Sequence, residues 1–222
     1  MDMILLLLIL IIPALAQMGV SSNYTKYKKE QNKKEISGFE VARKILDQNG
    51  LQDIHIVEVP GNLSDHYDPS RKVVRLSTDV FHGTTIASTA IAAHECGHAI
   101  QDKEGYLYMR VRSLIFPLVR IATQVSYFII FIGLLLQALD LVYLGIAFVG
   151  LGLVFQLVTL PVEINASKRA KSEIEKHSLA TKNEIEGVSK MLNAAAMTYV
   201  AGVLASALQL VRLILAFGNR RD

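Results

Sequence analysis

Long uncharged runs alternate with charge-dense stretches along this chain, and the runs set the expected architecture. From Met3 to Thr25 no side chain is charged at neutral pH. The apolar heart of that run, Met3 to Ala16, would extend about 21 Å as an α-helix, short of a hydrocarbon layer of about 30 Å unless flanking residues complete the crossing. A retained membrane anchor is expected, because Asp2 is the only charge ahead of the run, where a secretory signal peptide carries Lys or Arg. The competing reading is a cleaved signal peptide, since Ala14-Leu15-Ala16 has the small residues of a cleavage site. Ile121 to Leu139 and Leu141 to Val162 are also uncharged, with a polar turn from Gln137 to Asp140, and predict a transmembrane hairpin. Met191 to Phe217 predicts a last membrane-spanning or membrane-packed helix. Its many small residues, with Asn193, Gln209 and Arg212 among them, suggest close helix packing.

The stretches between the runs are basic. Residues 23–44 hold seven basic side chains (Lys26, Lys28, Lys29, Lys33, Lys34, Arg43, Lys44) against three acidic ones (Glu30, Glu35, Glu40), and six more basic residues lie between Glu163 and Lys190. By the positive-inside rule both stretches are expected in the cytoplasm, with the amino terminus and the hairpin turn outside. Four crossings would leave Arg220 and Arg221 outside, against that rule, so the last helix either stops short of crossing or the tail is an exception.

The first polar stretch, about Tyr24 to Tyr108, reads as a small α+β unit. Ser37 can cap a helix with Phe39, Ala42, Ile45 and Leu46 on its apolar face and Gly50 past its end. Ile54 to Val59 and Lys72 to Ser77 predict strands, with a turn at Asp68-Pro69-Ser70-Arg71. A longer helix is expected from Thr84 or Thr85 to Asp102.

Composition narrows the chemistry. The 222 residues are 51% hydrophobic and only 19% charged, which excludes a disordered chain. A formal charge of +3 is too small an excess to suggest nucleic acid as a partner. The single cysteine, Cys96, excludes an intrachain disulfide framework and a multi-cysteine zinc cage. Any metal site would use histidine and carboxylate.

The long predicted helix carries His94-Glu95-Cys96-Gly97-His98. At 100° per residue the two histidines lie about 40° apart around the axis and one turn apart along it, so two imidazoles can meet one ion. Glu95 is offset from them, placed to reach a water on that ion, which is the H-E-x-x-H arrangement of zinc peptidases. Cys96 falls on the far face and reads as a small packed residue. Histidines satisfied by backbone carbonyls are the alternative, but burying two His and a Glu among Ile91, Ala92, Ala93, Ala99 and Ile100 without a partner would be unfavourable.

A catalytic zinc site usually has three protein ligands. The positions at which metzincins carry a further Gly and His hold Gln101 and Glu104. Glu163 is the strongest candidate for the third ligand, since it directly follows the third apolar run; alternatively it only marks the membrane boundary. Pro161 is expected to break the membrane helix and begin a new one that delivers Glu163 at the cytoplasmic face.

These residues resemble the YugP-type membrane neutral zinc metallopeptidases over nearly the whole chain. The resemblance rests on the amino-terminal anchor, Ser64-Asp65-His66-Tyr67-Asp68-Pro69, Lys72 to Ser77, the stretch from Ala92 to Gln101, the stretch from Phe155 to Ser167, and Ala194 to Tyr199. Glu163-Ile164-Asn165-Ala166-Ser167 is also similar to the E-x-x-A-D segment of the CAAX-prenyl and heat-shock membrane endopeptidases, whose glutamate is the third zinc ligand. The resemblance implies His94, His98 and Glu163 as ligands of Zn2+ and Glu95 as the catalytic base. Ser167 departs from the Asp of that segment, so a steadying role for this Asp is not carried over.

The resulting expectation is a mainly α membrane protein, with transmembrane helices and a small α+β zincin-like catalytic unit. Its segments are an anchor (1–22), a cytoplasmic catalytic unit (23–112), a transmembrane hairpin (113–162), a cytoplasmic helix carrying the third ligand (163–190) and a final membrane helix (191–222). The expected function is zinc-dependent peptide hydrolysis on a protein or peptide substrate, in the plasma membrane of a prokaryote, with the site facing the cytoplasm. His66, Tyr67, His177 and Tyr199 are candidate oxyanion donors, and the strand Lys72 to Ser77 could hold an extended substrate as an added strand. Cleavage inside the bilayer is disfavoured, because Ile86 to Ile100 is too short to span and Asp102, Lys103 and Glu104 follow at once. A membrane scaffold that uses zinc structurally is the rival from another class. Substrate identity and oligomeric state are left open.

Overall fold

A computed structural model of the protein describes residues 2–218; Arg220 and Arg221, and with them the orientation of the tail, lie outside the described residues. The chain is mostly helical with a small three-stranded sheet. Its elements run α1 (Asp2–Tyr27), α2 (Gly38–Gln48), β1 (His55–Val59), β2 (His66–Asp68), β3 (Val73–Ser77), α3 (Thr78–His82), α4 (Ile86–Lys103), α5 (Leu107–Leu135), α6 (Leu139–Lys176) and α7 (Lys182–Phe217). Of these, α1, α5, α6 and α7 are long and apolar enough to cross a membrane. The contacts divide into two compact units, one of residues 1–17, 107–161 and 198–222, the other of residues 18–106 and 162–197.

In the first unit Ile130, Val142, Ile146 and Leu213 form a buried cluster from α5, α6 and α7. Gly145 lets α6 approach α5, since a Cβ there would fall 2.8 Å from the Ser126 carbonyl oxygen. Outward positions such as Leu114, Leu118, Ile121 and Phe128 are large, apolar and exposed, as lipid contact requires. Arg212, the charge inside the last apolar run, pairs with Asp2 through Nε and Oδ1 at 2.7 Å.

The second unit holds α2 to α4 and the sheet. Ser37 caps α2 in a full capping box with Glu40. The buried face of α2 is Val41, Ala42, Ile45 and Leu46, whereas Phe39 is only half-buried and stacks on Phe81, 4.9 Å between ring centroids. Asp68 forms the expected turn, with Oδ1 accepting from the Ser70 and Arg71 amides. Strand order is β1-β3-β2, with β3 parallel to β1 and antiparallel to β2.

Three local expectations are corrected, and two short elements were not foreseen. β3 is the central strand, flanked by β1 and β2, so it offers no free edge for a substrate; its nearly continuous burial over Val73–Ser77 fits that position. The short strand β2 and helix α3 carry too few residues to show a period in the sequence. α6 runs unbroken through Pro161. A proline inside a helix costs about 3 kcal/mol, but the next four turns bury Val162, Ala166, Ala170 and Ile174 completely. Full burial of Val162 and Ile174 alone contributes about 3–6 kcal/mol, which holds the helix through the defect. Finally, α7 begins at Lys182 rather than near Met191, started by Glu184, whose carboxylate accepts from the Thr181 amide at 2.6 Å.

Candidate metal centre

Every residue of the centre belongs to the second unit. Thr85 caps α4 by accepting from the Ser88 amide, and the helix that follows is buried along nearly all its length. His94 and His98 come from successive turns of α4, and Glu163 comes from the stretch of α6 just beyond Pro161. The approach of the two helices depends on Gly97, because a Cβ there would lie 2.6 Å from the Ala166 carbonyl oxygen. A glycine between the histidines therefore sets the distance at which a side chain from α6 can meet them.

The side chains converge. Glu163 Oε2 lies 3.2 Å from His94 Nε2 and 3.4 Å from His98 Nε2, and one donor atom from each residue falls within 4.8 Å of the others. The imidazole rings meet edge to face, 4.8 Å between centroids. Zinc bonds of about 2.0–2.2 Å in a tetrahedral arrangement separate neighbouring donors by about 3.3–3.5 Å, close to both His–Glu distances. Two imidazoles and a carboxylate are also a donor set of catalytic zinc sites. The residues present fit the ion.

Each imidazole is held from behind. Ser167 Oγ lies 3.3 Å from His94 Nδ1, so the serine standing where the related segment has Asp still faces a ligand candidate. Gln101 Oε1 lies 3.0 Å from His98 Nδ1. Both Nε2 atoms are thereby turned toward Glu163. Such supports fix the tautomer and ring orientation of metal-binding histidines.

Glu95 is buried on the same helix. Burial pushes its carboxyl up to about 7, the neighbouring His94 charge opposes the rise, the Glu163 charge adds to it, and the Tyr67 backbone amide donates to the carboxylate. Of the four oxyanion candidates, Tyr67 thus touches Glu95 through its main chain, while its hydroxyl donates to Asp102 Oδ2 at 2.7 Å. His66 is exposed, with Nδ1 2.8 Å from the Ser64 carbonyl oxygen. His177 faces Glu173 at 3.1 Å. Tyr199 lies on α7 in the other unit. Cys96 is fully buried and turned toward the Ala42 carbonyl of α2, away from the imidazoles.

The sequence reading missed Gly97, Gln101 and Ser167 as parts of the centre. Gln101 left a signal, being an amide about one turn after His98 on the helix face that carries both histidines.

Comparison with known proteins supplies the family. Residues 2–218 match the family described as "Putative neutral zinc metallopeptidase". The chain belongs to this family. It is also similar to the Bacillus subtilis (strain 168) protein named "Putative membrane protease YugP", at 46% identity over 207 residues, covering 93% of this chain and 92% of that protein. No solved structure matches the chain. Within this neutral zinc metallopeptidase family, the present chain offers His94, His98 and Glu163 as a group that could hold a metal ion.

Proposed function

We propose that the protein is a membrane-bound zinc endopeptidase that hydrolyses peptide bonds at the cytoplasmic membrane face. The observation that carries the reading is the convergence of His94 Nε2, His98 Nε2 and Glu163 Oε2 beside a buried Glu95. These three side chains would hold the zinc ion, which when bound supplies Lewis acidity, making water nucleophilic near neutral pH and polarising a scissile carbonyl. Glu95 acts as the general base. Its raised affinity for a proton suits it to take one from the attacking water and return it to the leaving amine. Ser167 and Gln101 hold the imidazoles still while this happens. The Tyr67 amide keeps the Glu95 carboxylate aimed. β2, whose residue Tyr67 already contacts Glu95, is an edge strand and so can receive an extended peptide where the central β3 cannot.

The cytoplasmic placement rests on the basic residues of 23–44 and 163–190, which belong to or flank the unit carrying the site. A polypeptide substrate and the surrounding bilayer are the partners in this reading.

The test is metal analysis of the purified protein beside cleavage of an unfolded casein. Wild type is expected to hold one zinc and cleave, Glu95→Gln to hold zinc without cleaving, and Glu163→Ala to lose the metal. Full metal retention by the Glu163→Ala protein removes that residue from the ligand set. Zinc in wild type with no hydrolysis of any unfolded protein would favour a structural zinc in a scaffold.

A further inference from the structure

We infer that Gln101 is a positioning residue for the metal, its one side-chain amide fixing which nitrogen of His98 faces Glu163 while tethering the stretch of α6 that carries Glu163. The inference rests on the zinc-peptidase reading above.

Gln101 is fully buried on α4. Its Nε2 lies 2.8 Å from the Val162 carbonyl oxygen and 2.9 Å from Asn165 Oδ1. A main-chain carbonyl can only accept, so the amide atom facing Val162 must be the nitrogen. The other amide atom, 3.0 Å from His98 Nδ1, is then the oxygen, which also only accepts. Nδ1 must carry the hydrogen. The Nε2 lone pair is left free on the side of the ring 3.4 Å from Glu163 Oε2.

A second fixed group supports this orientation. Asn165 Oδ1 also accepts from Arg169 Nε at 2.7 Å, and a guanidinium only donates. Arg169 in turn pairs with Glu104, at 2.6 Å, one residue past the end of α4. The hydrogen-bonded series from His98 through Gln101, Asn165 and Arg169 to Glu104 therefore has its polarity set by the Val162 carbonyl and the Arg169 guanidinium. Neither can reverse its role. Val162 immediately precedes Glu163, so the same amide holds one imidazole by its oxygen and the other helix by its nitrogen.

Two substitutions separate these actions. Gln101→Met keeps much of the volume but removes both the acceptor for His98 and the donors to α6. Gln101→Glu, with an ionised carboxylate, keeps an acceptor for Nδ1–H but replaces the donors to α6 with an oxygen facing the Val162 carbonyl and Asn165 Oδ1, which are themselves acceptors. In the full-length zinc-loaded protein with 15N-labelled histidine, wild type is expected to show a slowly exchanging Nδ1–H for His98. That signal should be lost in the Met variant and kept in the Glu variant. Zinc affinity by chelator competition should fall about 10–100-fold for Met. For Glu it should stay within about threefold of wild type despite a lower unfolding temperature, far from the loss that follows removal of such a support. Circular dichroism confirms that both variants are folded, and if Met alone fails to fold, the Glu variant's Nδ1–H signal and affinity decide. The inference is overturned if the Met variant binds zinc as wild type does, if both variants weaken equally, or if the Glu variant loses the signal. Should wild type bind no zinc, the metal reading fails and this inference with it; if wild type binds and only the Gln101 results disagree, the metal reading stands.

Discussion

Replacing Gly97 with alanine adds one methyl group at the point where the two ligand-bearing helices touch. The new Cβ would lie 2.6 Å from the Ala166 carbonyl oxygen and 3.2 Å from its carbonyl carbon and Cα. All three are backbone atoms, so no rotamer change relieves the clash. Ordinary contact of a methyl carbon begins near 3.4 Å, and α4 and α6 must part by about 0.6–0.8 Å. Ala166 is one helical turn from Glu163, so a shift of this size reaches the carboxylate. Metal sites tolerate changes of only about 0.2 Å in their ligand distances. Overpacking of this kind costs about 1–3 kcal/mol. If the strain falls on the metal-loaded geometry, zinc binding should weaken about 5–150-fold. Chelator competition on purified protein reads this directly, with circular dichroism to confirm that the helices persist. Gly19→Ala is the control, because nothing lies within 4 Å of its added Cβ, and it should leave zinc affinity unchanged. A folded Gly97→Ala protein that binds zinc within twofold of wild type would refute the idea that this contact sets the ligand spacing.

Other expectations follow from single observations. In the metal-free protein Glu95 takes a proton more readily folded than unfolded, with its pKa raised from 4.5 to about 7. Its contribution to stability is therefore full below pH 4.5 and lost as pH rises through 7, on the order of 3 kcal/mol. Thermal unfolding across pH 4–8 should show this fall in the metal-free wild type and a flatter profile in Glu95→Gln. Ser37→Ala removes a capping box and should lower stability by about 0.5–2 kcal/mol without changing zinc content. Because Cys96 is fully buried, a Gln52→Cys protein carries one accessible thiol. The cytoplasmic placement predicts that a membrane-impermeant thiol reagent leaves it unlabelled in intact cells and labels it in inverted vesicles; labelling in intact cells would reverse the orientation.

Local pattern alone was enough for several parts of this protein. Uncharged runs marked three of the four long apolar helices, and an apolar run holding the single charge of Arg212 marked the fourth, since burial in lipid demands a scarcity of charge that any stretch of sequence displays by itself. Ser37 and Gly50 announced the ends of α2, and the i, i+4 histidines announced a shared ligand face on α4, because both depend on spacing within one helix. Only the tertiary structure decided what depends on residues distant along the chain. β3 is central because β1 and β2 both pair with it, and no period in Val73–Ser77 records that. Pro161 lies within a continuous helix because the buried side chains beyond it outweigh the lost hydrogen bond. Glu163 was a candidate on sequence position and family resemblance, but its approach to the imidazoles required α4 and α6 to touch at Gly97 and Ala166. The supports from Gln101 and Ser167 likewise appear only once the helices are packed, since a hydrogen bond between helices is specified by distance and direction in space, which residue order does not encode.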